Sequence, residues 1–264
     1  MNALEKEMLS LLKIGRDSYG FTHVRAEFEA EGVREDDLFR LAELTFRADL
    51  NLMLKIGGSE AVSDLFKAKQ VGATTVIAPM VESSYATCKF IQSVKRAYTE
   101  TERPEMEFLV NIETIQGYEQ REAIIKKIAD NGLTGVVFGR VDFCGSLGLG
   151  RKDLNGSEIT RRIKDVAHLC QDRNLFFAVG GGVDAASVPS LKDISQTYLN
   201  RYETRKIAFD AGALASGGAS QGLMEASRFE LLWIRNKANY YKSISQEDQD
   251  RLKLLERRVI ALVA

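Results

Sequence analysis

The sequence predicts a (β/α)₈ barrel of the TIM type with an added N-terminal helix and extra C-terminal helices. Three observations predict it. Eight short apolar or alternating runs recur along the chain. Amphipathic stretches, with apolar residues three and four apart, follow most of them, which is the alternation of an α/β protein with parallel strands. The length, 264 residues, matches one barrel, which takes about 250.

The elements follow in order. MNALEKEMLSLLKIGRDSYG at the N-terminus is charged throughout and reads as an amphipathic helix. The strand runs are HVRAEF (23–28), LMLKIG (52–57), TVIAPM (75–80) and EFLVNIE (107–113), then GVVFGR (135–140), FFAVGG (176–181), YLNRYE (198–203) and KIAFD (206–210). Between them lie helical patterns such as DDLFRLAELTFRADL, SEAVSDLFKAKQVG and SEITRRIKDVAHLCQDRN, with Gly72 and Gly132 placed as C-caps. Beyond residue 218 the pattern is helical only, in two segments. The first carries Phe229, Leu232 and Trp233 on one face, to close the barrel or to dock on another subunit. The second, SQEDQDRLKLLERRVIALVA, is highly charged and reads as solvated or oligomeric. An open doubly wound sheet is the competing arrangement. Three prolines and no Gly/Ser-rich linker leave 1–264 as a single expected domain.

Composition excludes several classes of partner. A net charge of −1 gives no reason to expect nucleic acid or an anionic membrane. No apolar run approaches the roughly 20 residues of a membrane span. Cys88, Cys144 and Cys170 are far apart, with no CxxC spacing and no apolar leader, as expected of reduced thiols in a cytoplasmic protein. With only His23 and His168 and no cysteine cluster, zinc is disfavoured. His168, inside a helical pattern, reads as a packing residue.

Barrel chemistry sits at the C-terminal ends of strands, and nearly every run here ends in charge or glycine. EFLVNIE ends on Glu113, a carboxylate poorly placed for a solvated face unless it caps a helix or forms a salt bridge. GRVDFCGSLGLG puts Asp142 in a stretch rich in glycine, which lets a ligand approach the backbone closely; an ordinary turn aspartate is the plainer alternative. Adjacent strands bring these carboxylates within reach of one Mg²⁺ or Mn²⁺ ion, with waters and a chelating 2-oxo acid completing an all-oxygen sphere.

IETIQGYEQREAI followed by GLTGVVFGRVDFCGSLGL resembles the metal-binding strands of the HpcH/HpaI aldolase and citrate lyase β-subunit family, and TVIAPMVESSYATCKF resembles its third strand and helix. The similarity runs from about residue 24 to residue 182, in matching order and spacing. It implies that Glu113 and Asp142 are the ligands of a divalent ion and that a 2-oxo acid chelates it. The backbone of Gly139, Arg140, Val141 and Asp142 would hold the substrate carboxylate, with Pro79 lining the site. The ion would carry the charge of an enolate formed by loss of a proton at C3.

Two positions depart from the family. Lys55 stands where the family has an arginine; it keeps the charge but loses the bidentate fork, and a Schiff-base role is its rival. The first strand leads into AEFEAEG, where the family places an acidic residue and a histidine. Alternation puts Glu27, Glu29 and Glu31 on one face, crowded enough to raise a carboxylate into use as acid or base; ion pairs to Arg25 or Arg34 are the plainer reading. Gly57 and Gly58 suit an anion at a helix start or simply a tight turn. Gly180 and Gly181, with Gly182, suit a phosphate or carboxylate or a bare loop. Glu203 and Arg205 are expected to pair at the rim.

The expectation is therefore a metal-dependent carbon–carbon lyase or aldolase acting on a pyruvate- or oxaloacetate-type 2-oxo acid, assembled as a homo-oligomer. A condensing enzyme using phosphoenolpyruvate or an acyl donor is the second reading. A catalytically silent metabolite-binding barrel is the third.

Overall fold

The computed structural model of the chain describes residues 1–263. Eight strands pair in sequence order and close into a barrel. The elements are α1 (Ala3–Tyr19), β1 (Phe21–Glu27), α2 (Glu35–Arg47), β2 (Asn51–Lys55), α3 (Val62–Gln70) and β3 (Thr75–Ala78). Next come α4 (Ser84–Ala97), β4 (Glu107–Ile112), α5 (Ile115–Glu119), α6 (Arg121–Asp130), β5 (Gly135–Gly139) and α7 (Arg140–Ser146). The chain ends with α8 (Ser157–Gln171), β6 (Phe176–Gly180), α9 (Val188–Ser195), β7 (Arg201–Glu203), β8 (Ile207–Asp210) and α10 (Ala219–Val263). Gly72 and Gly132 lie just past α3 and α6 with φ of 72° and 70°, the left-handed conformation that ends a helix without Cβ strain.

Strands β1 to β7 run parallel, but β8 is antiparallel to both β7 and β1. This reversal corrects the all-parallel barrel of the sequence pattern. The physical reason is chain length: only Thr204, Arg205 and Lys206 separate β7 from β8. A parallel crossover needs a dozen or more residues, so the strands can only form a hairpin. Thr204 N–H donates to Ile207 O at 2.8 Å to close the turn.

Reversing β8 sends the chain to the N-terminal end of the barrel, and α10 then climbs back alongside α1. Gly222 lies against Tyr19, while Asn2 at the opposite end of α1 donates to Asn236 at 2.7 Å, so the two helices are antiparallel. Phe229, Leu232 and Trp233 are buried in the chain's own core, which decides between the two roles open to them. The two C-terminal helical segments of the sequence pattern form one continuous helix. Its residues 242–260 are exposed on every side and project past the C-terminal ends of the parallel strands. His168 is exposed on α8 rather than packed, because Val166, Ala167 and Cys170 occupy the buried face.

The inside of the barrel is not uniformly apolar. Met53, Ile77, Leu109, Val137, Ala178 and Ala208 form a small buried layer. Toward the strand N-termini lie His23, Thr75, Glu107 and Arg201; toward the C-termini lie Arg25, Glu27, Lys55, Asn111, Glu113 and Glu203. All of these side chains are on the inward-facing register of their strands. The larger apolar core lies between the strands and the helices.

Candidate active site

A cavity of about 480 Å³ opens at the C-terminal ends of the strands. Glu113 directly follows β4 and is 2 % exposed. Its Oε1 accepts the Met80 N–H at 2.9 Å, and its Oε2 accepts from Asn111 Nδ2 at 2.7 Å and Lys55 Nζ at 3.2 Å. Met80 makes that bond from a left-handed backbone (φ 51°), which a residue with a Cβ rarely adopts. Gly139 is fixed by the same carboxylate: a Cβ there would stand 2.7 Å from Glu113 Cβ and Oε2. The glycine at the end of β5 therefore exists to let β4's glutamate swing across the barrel mouth.

Asp142 lines the same cavity from the first turn of α7, not from a loop as the glycine content suggested. One side is open to solvent. Its carboxyl is nonetheless raised above the ordinary range, first by desolvation against the cavity wall and then by the negative charge of Glu113 opposite. Lys55, at the end of β2, offsets part of that repulsion. Two carboxylates that face each other and resist simultaneous ionisation are a donor set that a divalent cation relieves. Among the described residues no group of three or more His, Cys, Asp and Glu is assembled for a metal. Residues Glu113 and Asp142 thus fit a hard ion taking most of its oxygens from water and ligand, as Mg²⁺ does, and do not fit zinc.

The three glutamates expected on one face are separated. β1 ends at Glu27 and the chain turns at once, so the strand alternation that would align Glu29 and Glu31 stops there. Glu27 is buried and lines the cavity. Glu29 is exposed and lies outside it, beside Gly57. Glu31 pairs with Arg205 at 3.1 Å and with Lys206, whose ammonium is lowered from its ordinary pKa by burial. Arg205 therefore pairs with Glu31 and not with Glu203, because the β7–β8 turn points it outward while Glu203 points in. Gly57 N–H donates to Asp64 at 2.8 Å and Glu29 and Glu60 stand nearby, an acidic setting that does not suit an anion.

Arg25 and Glu203 were hidden in the sequence as a possible ion-pair partner and a rim residue. In the fold they belong to a buried column of alternating charge that crosses the barrel. Glu107 Oε2 accepts from Arg201 Nη1 at 2.8 Å, and Arg201 Nε donates to Glu203 Oε1 at 3.1 Å. Glu203 stands 3.6 Å from Arg25 Nε, and Arg25 Nη2 donates to Glu27 Oε1 at 2.8 Å. Every inner member has an opposite charge on each side, which offsets the desolvation of buried ions. The column holds Glu27 in place at the cavity. At its other end burial, then Arg201, pushes the His23 imidazole down to about 3 despite nearby Glu107.

Arg140 is fully buried and does not reach ligand space through its side chain. Its guanidinium donates to Gly181 O (3.1 Å), Asn155 Oδ1 (2.8 Å) and Ser187 Oγ (3.2 Å). Gly181 (φ 84°) lies against the backbone nitrogens of Arg140 and Val141, where a Cβ would come within 2.8 Å of both. Gly139, Val141, Gly180 and Gly181 line the cavity, whereas Pro79 is half-buried in the turn before Met80 and does not. Arg151 and, from α10, Glu230 also line it; nothing in the local sequence pattern marked either.

An acidic, glycine-walled cavity at the C-terminal mouth of a closed, mostly parallel eight-stranded barrel lies where TIM barrels carry their small-molecule sites. Residues 41–186, just over half of the sequence, match the model of the HpcH/HpaI aldolase/citrate lyase family, and the chain belongs to that family. A HpcH/HpaI aldolase/citrate lyase family protein from Burkholderia cenocepacia is similar at TM-score 0.61 and 14% identity, over 84% of this chain and 90% of that one. A HpcH/HpaI aldolase from Desulfitobacterium hafniense gives 0.59 and 14%, over 81% and 86%. The malate synthase of Haloferax volcanii, in a magnesium/glyoxylate complex, gives 0.56 and 11%, over 75% and 65%. At these identities the likeness concerns the fold. No curated protein sequence matches the chain. Among the described residues no helix is long and apolar enough to cross a membrane, and Cys88, Cys144 and Cys170 are free thiols.

Proposed function

We propose that the protein is a divalent-metal-dependent carbon–carbon lyase or aldolase acting on a 2-oxo acid of the pyruvate or oxaloacetate type. The observation that carries this reading is the opposition of Glu113 and Asp142 across the cavity, with the Asp142 carboxyl held above its ordinary range by desolvation and by Glu113. A Mg²⁺ or Mn²⁺ ion held by this pair would supply positive charge for the oxygen of a developing enolate. Asn111 and the Met80 N–H orient Glu113, and Gly139 gives it room. Lys55 brings a fixed positive charge beside the same carboxylate, where it can also face the oxygen of a bound oxo acid. Glu27, anchored by Arg25, is our choice of proton acceptor in place of the family's histidine. The backbone from Gly139 to Asp142 and the Gly180–Gly181 turn form the wall that receives the substrate.

Chelation tests the reading directly. Incubation with a chelator should abolish pyruvate-dependent aldol turnover, and Mg²⁺ or Mn²⁺ should restore it; turnover indifferent to chelation removes the metal mechanism. Borohydride reduction in the presence of pyruvate should leave Lys55 unmodified, since its ammonium serves as a charge. The fold shared with malate synthase favours one alternative, condensation with an acyl donor. Activity with acetyl-coenzyme A and an oxo acid, but none with pyruvate and aldehydes, would select it. We further propose that copies associate through the free part of α10, where Ile244, Leu252, Leu255 and Val259 are exposed.

A further inference from the structure

The cations around the cavity are nearly all paired. Arg25 is bonded to Glu27, Lys55 to Glu113 and Arg205 to Glu31. Arg151 is different: it lines the cavity and is exposed, and among the described residues its guanidinium has no acidic partner and no hydrogen bond. An arginine left free on an open surface loop would mean little. This one is mounted on a built wall. It opens a short 3₁₀ turn, Arg151–Asp153, whose start is capped by Gly150 N–H donating to Asp153 Oδ2 at 2.9 Å. Leu154 is buried just behind it, occupying the space that a side chain at Gly182 would need: a Cβ there would meet Leu154 Cδ1 at 2.6 Å. Asn155 is bonded to the buried Arg140, which also holds Gly181 and Ser187. One fully desolvated guanidinium thus ties the Arg151 turn, the β6 glycine turn and the start of α7 into a single rigid wall.

We propose that Arg151 is a specificity-determining residue that binds an anionic group, carboxylate or phosphate, on the part of the substrate remote from Glu113 and Asp142. The proposal rests on the aldolase reading for the reacting end of the substrate and adds the chemistry of its far end. A guanidinium fork matches the paired oxygens of either anion and forms charge-assisted bonds with them. The turn that carries it is anchored through Asn155 and Arg140, so binding has only the Arg151 side chain to order. The carboxylates deeper in the cavity would repel such a group, so it is directed to the rim. Fixing one end at Arg151 and the other at the Glu113–Asp142 pair selects substrates by length as well as by charge.

The experiment compares wild-type protein with Arg151→Gln and Arg151→Lys in the presence of Mg²⁺ and pyruvate. The acceptors are aldehydes of matched length ending in a methyl, a carboxylate or a phosphate group. We expect the ratio of kcat/KM for anionic over neutral acceptors to fall at least tenfold in Arg151→Gln, mainly through KM, with partial recovery in Arg151→Lys. The carboxylate and phosphate arms identify which anion is preferred. A ratio unchanged by the substitution, or an equal loss for neutral and anionic acceptors, overturns the proposal. Exchange of the pyruvate C3 protons with D₂O by the wild-type protein tests the aldolase reading separately. If that exchange is absent, calorimetric titration with succinate and with inorganic phosphate still decides the role of Arg151. A tenfold or greater loss of affinity for either in Arg151→Gln, at unchanged melting temperature, supports it; equal affinities, or no binding by either protein, overturn it.

Discussion

The two ends of the barrel interior use the same kinds of side chain to opposite effect. At the N-terminal end, His23, Thr75, Glu107 and Arg201 pair with one another, with only Arg201 Nη2 left without a hydrogen-bond partner there. Glu107 accepts from both Thr75 and Arg201; burial works to raise its carboxyl, and Arg201 holds it below the ordinary range. At the C-terminal end, Glu113 faces Asp142, the opposing carboxyl is raised, and Met80 is held in a left-handed backbone to serve the same group. The closed network stabilises the barrel, and the open one is kept out of electrostatic balance by the fold. Charge inside a barrel is therefore a poor marker of function by itself; charge without its complement is a better one.

Four measurements test that contrast. The largest expected effect is at the closed end. Arg201→Met strands Glu107 without its cation, leaves Glu203 with Arg25 alone, and should lower stability by about 3–5 kcal/mol in urea unfolding. Mg²⁺ affinity of the folded fraction should change little; a parallel loss of affinity would mean the two ends are one unit. At the open end, Glu113→Gln should lower Mg²⁺ affinity and turnover by about 100-fold or more, since even outer partners of a metal ligand are worth about 10–100-fold. Calorimetry and steady-state kinetics read this, and the melting temperature should stay close to that of the wild type. Gly139→Ala places a Cβ against the Glu113 carboxylate and should cost about 1–3 kcal/mol of stability, with weaker metal binding. Unaltered binding in that variant would show that Glu113 need not sit where Gly139 holds it.

The smallest effect concerns pH and the His23 ring. Its folded pKa, about 3, lies below the ordinary 6.5. The ring's neutral form is therefore favoured by folding, so its contribution is present above about pH 6.5 and is lost as pH falls toward 3. At pH 5 the loss is on the order of 2 kcal/mol. Urea unfolding at pH 7 and pH 5 should reveal it, and His23→Gln should flatten the difference. An equal decline in that variant would assign the acid sensitivity to Glu107 and the other paired carboxylates.

Much of this was legible in the sequence, and for identifiable reasons. All eight strands were marked, some because a strand buried on both faces leaves a near-continuous apolar run, as in TVIA and GVVFG, and others by alternation, as in HVRAEF. The direction of β8 was legible too, in the three residues between RYE and IAFD, but counting strands obscures it. Arg25 and Asn111 lie two positions before Glu27 and Glu113 on the same inward face, a relation that period-two alternation contains but that the sequence reading left unused. That same alternation misplaced Glu29 and Glu31, because it holds only while the strand lasts. Arg151 and Glu230 reach the cavity from a turn and from α10; only tertiary packing brings such distant segments together, and no local pattern records it.

The clasp of α1 and α10 also bears on how the barrel is assembled. Asn2 and Asn236 meet across 234 residues of chain, and β1 meets β8 where Phe21 pairs with Phe209. These seams carry the greatest loop-closure cost in the molecule and can form only after nearly all the rest of the polypeptide is available. Until α10 emerges and folds, the apolar side of α1, with Met8, Leu11 and Leu12, is only partly covered, by α2 and β1. A helix that precedes all eight strands in the chain thus completes its packing only with the element that follows them all, and until then its unpaired apolar surface is open to aggregation.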